Sequence, residues 1–134
     1  YDGRWQFTVK KKGIEFPVYA SQPTRGTPGK WEHLAGVFQN KTLTLYVDGK
    51  RIISNQMPEE LEDAEGGRLM FGRNLLGTIR GVRFSKSARY TTDFKPAEQF
   101  DADAETLALY RFDEGTGDVL RDSSGHNLHG TIKG

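Results

Sequence analysis

The sequence predicts an all-β protein, an antiparallel β-sandwich, and three observations point there. Short apolar stretches alternate with period two. In Leu43-Thr44-Leu45-Tyr46-Val47 the leucines and valine face one way and Thr44 and Tyr46 the other, the pattern of a strand with one buried face. Asp48-Gly49 follows at once and leads into Arg51-Ile52-Ile53. Asp-Gly between alternating hydrophobics is a strong hairpin signal, because a type I′ turn needs positive φ at both central residues. Finally, 16 glycines and 5 prolines in 134 residues supply the turns that many short strands require.

Residues 29–50, GKWEHLAGVFQNKTLTLYVDGK, organise the rest. The runs 31–38 and 43–47 part at the polar break Gln39-Asn40-Lys41-Thr42, and 51–53 adds a third antiparallel strand. Before them, Trp5, Phe7 and Val9 alternate with Gln6, Thr8 and Lys10 as a first strand. Lys10-Lys11-Lys12-Gly13 reads as a solvated hairpin tip, since no second basic block accompanies it to make a nucleic-acid surface. Ile14, Phe16 and Val18 form the apolar side of a second strand, which Pro17 restricts to a sheet edge or a bulge by removing a ladder donor. Residues 21–29 (SQPTRGTPG) are a loop dense in turn formers.

Beyond the meander, residues 55–67 carry five carboxylates, few β-formers and a proline placed to start a turn of helix. Residues 68–73 (RLMFGR) and 77–85 (GTIRGVRFS) read as strands, the second with a bulge at Gly81 that returns Val82 and Phe84 inward. Residues 88–100 are irregular, with Phe94, Pro96 and Phe100 packing down as a cover. Residues 106–112 (TLALYRF) are a further strand, followed by Asp113-Glu114-Gly115 and DVLRDSSGHNLHGTIKG. About nine strands and no long helix result, which suits a sandwich or jelly roll.

Composition narrows the function classes. A 35% hydrophobic chain of this length suits one domain with a modest core. A net charge of +1 implies neither nucleic acid nor an acidic membrane surface as partner. No run of roughly eighteen apolar residues offers a membrane-spanning helix. Without cysteine there is no disulfide framework from which to read a compartment. The opening Tyr1-Asp2-Gly3 suggests a processed or excised fragment.

Catalytic readings find little support. Glycosidases of the retaining class need two carboxyls about 5 Å apart, one of them held protonated. The acidic run Glu59-Glu60-Leu61-Glu62-Asp63-Ala64-Glu65 lacks the aromatic and β-branched residues that would hold it in a buried strand, so it reads as a solvated loop. No G-x-S-x-G elbow occurs. His126 and His129 lie in a glycine-rich turn with neither cysteine nor a third nearby histidine, which argues against zinc. No glycine loop opens a helix to cradle phosphate.

Calcium is the ion whose preference for hard oxygen ligands this chain could meet. Asp122 and Asn127 are the expected ligands in the turn Asp122-Ser123-Ser124-Gly125-His126-Asn127, with Asp113 or Asp118 approaching from the neighbouring turn; Asp101 and Asp103 form another pair. The alternative is that Asp122 and Asn127 make Asx-turns to their own backbone. For sugars, Tyr19, Tyr46, Tyr90 and Tyr110 with Arg73, Asn74 and Arg80 could stack and grip, though most of these aromatics read as packing. Residues 72–77 make a rim loop, and no single ligand-binding residue stands out. Asn40-Lys41-Thr42 matches the N-glycosylation sequon at a hairpin tip.

Trp31-x-His33-Leu34-Ala35-Gly36-Val37-Phe38, Leu43-x-Leu45-Tyr46-Val47-Asp48-Gly49-Lys50, Leu69-x-Phe71-Gly72 and Gly77-x-Ile79-x-x-Val82-Arg83-Phe84 together resemble the laminin-G-like, concanavalin A-like jelly-roll superfamily over roughly residues 3–90. The resemblance implies two curved antiparallel sheets face to face, often a calcium ion at the rim, and use as a carbohydrate- or protein-binding module. It also places His33 on a core strand, half-buried. The glycosidases of that superfamily carry E-x-D-x-x-E on one strand, which the run 59–65 does not match. Residues 109–117 and 122–130 are similar to the pattern that usually begins such a domain, yet here they come last. The expected organisation is one domain, 1–134, with 107–134 folding back as a permuted terminal strand and turn; a second copy cut short is the other option. The expected function is a non-catalytic, extracytoplasmic module that recognises a glycan or a protein surface. A structural domain that completes its sheet in a homo- or hetero-oligomer is the alternative, and a glycoside hydrolase the third.

Overall fold

A computed structural model describes residues 5–11, 14–19, 26–57, 70–72 and 75–133. These contain nine strands and no helix, and every ladder is antiparallel. The chain divides into two compact units, Tyr1–Glu65 with Ala88–Pro96 and Gly66–Ser87 with Ala97–Gly134.

The first unit holds strands β1 (Gln6–Lys11) and β2 (Ile14–Tyr19), paired as one sheet, and β3 (Leu34–Gln39), β4 (Thr42–Val47) and β5 (Lys50–Gln56), paired in that order as another. Asp48 and Gly49 both have positive φ, 49° and 75°, so the Asp-Gly signal produces the type I′ turn it calls for. The polar break between β3 and β4 is a second turn of this kind, with Asn40 at 48° and Lys41 at 58°. Gln39 therefore pairs with Thr42, and the register Val37↔Thr44, Gly36↔Leu45 and Ala35↔Tyr46 follows. Beyond Leu45↔Ile53 the β4–β5 register shifts to Tyr46↔Arg51, leaving Ile52 as the extra residue of a bulge. Both isoleucines then pack on the core formed by Leu43, Leu45, Val47 and Met57, which Trp5, Phe7 and Phe38 complete. Gly36 lies under Phe7: a Cβ there would come within 2.7 Å of the ring.

Strand β4 differs from the expectation of one buried face. Thr44 and Tyr46 are buried as well, Tyr46 to 2% exposure. The cover is the irregular segment that ends this unit. Tyr90 and Phe94 stack with ring centroids 3.5 Å apart, and both meet Tyr46 and His33 at tilted or edge-on angles. The Tyr46 hydroxyl donates to the Tyr90 carbonyl at 3.2 Å. Phe94 N–H donates to the Gly49 carbonyl at 2.9 Å, and the Asp93 carboxylate takes Arg51 N–H at 2.9 Å and Lys50 Nζ at 3.0 Å. His33 lies just ahead of β3, and its backbone exchanges hydrogen bonds with the Asp48 N–H and side chain, each 2.8 Å. Strand β3 thus starts at Leu34 rather than at Trp31, which is 55% exposed.

The second unit holds β6 (Val82–Ser85) paired with β7 (Thr106–Tyr110), and β8 (Val119–Leu120) paired with β9 (Gly130–Thr131). Ala108, Tyr110 and Leu120 are its buried cluster, with Phe71, Phe84 and Phe112 packed against them. Four expectations change here. Residues 77–81 are not strand, and the irregularity in the β6–β7 register falls between Phe84 and Ser85, not at Gly81. Met70, Phe71 and Gly72 are not strand either; Gly72 has φ 72° and accepts the Leu75 N–H, so the chain turns where a strand was expected. Strand β7 stops at Tyr110 because Phe112 has φ 54°, outside the β region. Phe100, expected in the cover with Phe94, belongs to this unit and lies under the Arg83 guanidinium, 4.9 Å from its ring centroid. Most of the acidic stretch 55–67 and residues 68, 69 and 73 lie outside the described residues, as do Lys12 and Gly13 of the first hairpin tip.

Gly49 is required twice, by its φ and because a Cβ would land on the Phe94 carbonyl oxygen. Gly49→Ala is expected to destabilise the protein by about 2 to 4 kcal/mol, from left-handed strain plus overpacking. Urea unfolding of the two proteins reads this directly; a loss under about 1 kcal/mol would mean that the cover does not sit on the turn.

Candidate functional site

Alternation along the β3–β4–β5 sheet sorts its residues onto two faces. Leu43, Leu45 and Val47 go to the core, so Val37 and Gln39, Thr42, Thr44 and Tyr46, and Arg51 and Ser54 share the opposite face. Together with Asn40 at the turn and Tyr90 and Thr91 of the cover they line an open hollow of about 290 Å³. Cross-strand hydroxyls knit its floor. Thr44 Oγ1 and Ser54 Oγ are 2.8 Å apart, and Thr42 Oγ1 donates to Gln56 Oε1 at 3.0 Å. Among the described residues that line it, amides and hydroxyls predominate, Arg51 is the one charged side chain, and none is a carboxylate. Phe94 takes one face of the Tyr90 ring.

The second cluster of polar groups lies in the terminal turn of the other unit, around Asp122. Its Oδ1 accepts the N–H groups of Leu109 and Ser124, each at 2.9 Å. Its Oδ2 accepts the Ser124 hydroxyl at 2.7 Å and Leu128 N–H at 3.1 Å. Its own N–H donates to His129 Nδ1 at 3.0 Å. Ser123 N–H donates to the Leu109 carbonyl, so this turn occupies the edge of β7 opposite β6. Burial pushes the Asp122 carboxyl up, but hydrogen bonds from Leu109, Ser124 and Leu128 outweigh it and hold the group at about 2. Tyr110, whose hydroxyl donates to the Leu128 carbonyl at 2.6 Å, is raised by burial and by the Asp122 charge.

The four lone-pair directions of Asp122 are taken by protein donors, and Asn127 is a turn residue at φ 58°. Asp113 is exposed. Asp103 Oδ1 accepts Glu105 N–H and the Thr106 hydroxyl, and Asp101 Oδ1 lies 3.7 Å from the Arg111 guanidinium. Among the described residues no group of three or more His, Cys, Asp or Glu could hold a metal. The carboxylate at the centre of the expected set does not fit a calcium ion, which needs free oxygen lone pairs.

The sugar-facing candidates are divided between the two units. Tyr46 and Tyr90 come together beside the hollow, whereas Tyr110 belongs to the Asp122 cluster. Arg80 is exposed in the second unit. Arg73, Asn74 and the Tyr19 side chain lie outside the described residues. Gln39, Thr42, Thr44, Arg51, Ser54 and Thr91 were not foreseen as site residues. The period-two alternation that puts Thr44 beside Tyr46 was the available signal.

A family model described as the concanavalin A-like lectin/glucanases superfamily, of the laminin G type, matches residues 1–93. The chain belongs to this superfamily. Its concanavalin A-like jelly-roll fold agrees with the all-strand, antiparallel architecture found here. The match takes in every residue of the hollow and stops at Asp93, ahead of the Asp122 cluster. Comparison with curated proteins and with solved structures returns no match. The superfamily joins binding modules with glycosidases, so membership alone does not select between them.

Asp122→Asn replaces an acceptor-only oxygen with an amide that meets the Leu128 N–H donor to donor. The expected cost is about 2 kcal/mol near neutral pH, the penalty of a buried unsatisfied polar group. The folded carboxyl titrates near 2, below its ordinary 3.8, so its contribution is complete above about pH 4 and disappears as pH falls through 2. Urea titrations from pH 7 down to pH 2 should show the two proteins converging. A constant difference across that range would show that the charge does not matter.

Proposed function

We propose that the chain is a non-catalytic binding module whose ligand is a glycan, held in the hollow on the outer face of β3–β4–β5. The observation that carries this reading is the lining. Amides and hydroxyls can both donate and accept, as sugar hydroxyls do, and here they stand beside the edge of an aromatic stack in an open groove. Such a surface suits a polymer that enters from the side. Glycoside hydrolysis requires an acid and a partner carboxylate flanking the bond, and the described lining supplies neither. An extracytoplasmic setting accords with the usual location of laminin G-like domains.

A mixed polysaccharide and oligosaccharide panel tests the reading, with binding followed by calorimetry and reducing ends by colorimetric assay. Binding without release is expected. Gln39→Ala and Thr91→Ala, both at exposed positions, should each weaken it about threefold to tenfold, the effect of one lost hydrogen bond, with melting unchanged. Release of reducing ends would reject the non-catalytic assignment, and affinity unchanged in both variants would place the ligand elsewhere.

A further inference from the structure

We infer that the hollow selects a sugar carrying an anionic group, with Arg51 as the residue that reads it. This rests on the glycan reading above and narrows it. Arg51 is the one charged side chain among the described lining residues. Asp93 accepts the Arg51 N–H at 2.9 Å, and the guanidinium also acts on that carboxylate through its charge. Asp93, the nearby acid, is already met by Lys50 Nζ at 3.0 Å. The Arg51 side chain is exposed at the rim, while the floor beneath is the neutral Thr44–Ser54 hydroxyl pair. A guanidinium presents a planar fork of donors that matches a carboxylate or sulfate in two parallel hydrogen bonds. A neutral sugar would leave that fork to water, whereas an anionic one replaces water with a charge-assisted pair beside the amides that hold its hydroxyls.

The bulge after Leu45 is what creates this arrangement. With Ile52 as the extra residue, Arg51 stands opposite Tyr46 on the outer face, and Ile52 and Ile53 both remain on the core. Without it, strict alternation would bring Ile53 to the face that Arg51 occupies.

The test uses oligogalacturonate and the same oligomer fully methyl-esterified, which differ in charge and not in hydroxyl pattern, together with sulfated and unsulfated galactan oligomers. Binding is measured by calorimetry at 0.05 and 0.5 M salt (about 14 and 4 Å of screening length). The acidic member of at least one pair is expected to bind about tenfold tighter, with the advantage shrinking at high salt. Arg51→Gln should abolish that difference; Arg51→Lys, which keeps the charge and loses the fork, should fall between. A preference in the first pair assigns the anion as carboxylate, and in the second as sulfate. Equal binding of charged and neutral partners, still weakened by Gln39→Ala, would overturn the inference and leave the glycan site standing. No binding by any of the four would remove both. A preference that survives in Arg51→Gln would assign it to another residue and also overturn the inference.

Discussion

Strand β4 cannot slip by one residue without trading Leu43, Leu45 and Val47 for Thr44 and Tyr46 on the core side. All five residues are buried. A slip would put a threonine hydroxyl and a tyrosine hydroxyl among aliphatic side chains and lose several kilocalories of apolar burial. The flanking turns enforce the same register from outside, since each forces two residues to positive φ and so admits only one pairing of the strands that it joins. The hollow inherits its side chains from that register. Its polar floor is the outer half of the alternation that builds the core.

The second unit solves a different problem, the unpaired edge of β7. Sheet edges invite association with other chains unless something occupies them. Here the occupant is a turn rather than a strand. Asp122 uses a carboxylate oxygen where a neighbouring strand would use a carbonyl, and Ser123 supplies its N–H to the Leu109 carbonyl. The same carboxylate orders its own turn through Ser124 and Leu128. An acid used this fully acts as a structural tie, and the depressed carboxyl is the consequence. The Asx-turn alternative for Asp122 matches the bond from Ser124 N–H; the reach to Leu109, thirteen positions away, does not follow from local turn chemistry.

How much was legible varies with range along the chain. The meander 29–53, its Asp-Gly turn, the pairing of the first two strands and the role of Phe94 as cover could all be read, because each depends on neighbours or on a strong alternation. Of the strand expected at 68–73 the described residues 70–72 are not strand, and the irregularity expected at Gly81 falls between Phe84 and Ser85. Apolar content around Phe71 signalled burial correctly, but burial alone does not distinguish a strand from a packed turn, and Gly72 at positive φ makes it a turn. The oxygens of Asp122 raise a related point. Carboxylates and amides in a glycine-rich turn look the same in sequence whether their oxygens await a cation or already hold backbone N–H groups.

By itself the sequence determined the all-strand character, the turn types and which side chains share a face, since alternation and φ preference act over two to four residues. Tertiary structure alone decided that residues on both faces of β4 are buried, through contacts between Tyr46 and Tyr90 across 44 positions and between Asp93 and Arg51 across 42. It also decided that a bulge at Ile52 sets Arg51 on the polar face. Such contacts depend on where the chain returns in space. That return is fixed by the summed burial of the whole unit and leaves no mark at either residue.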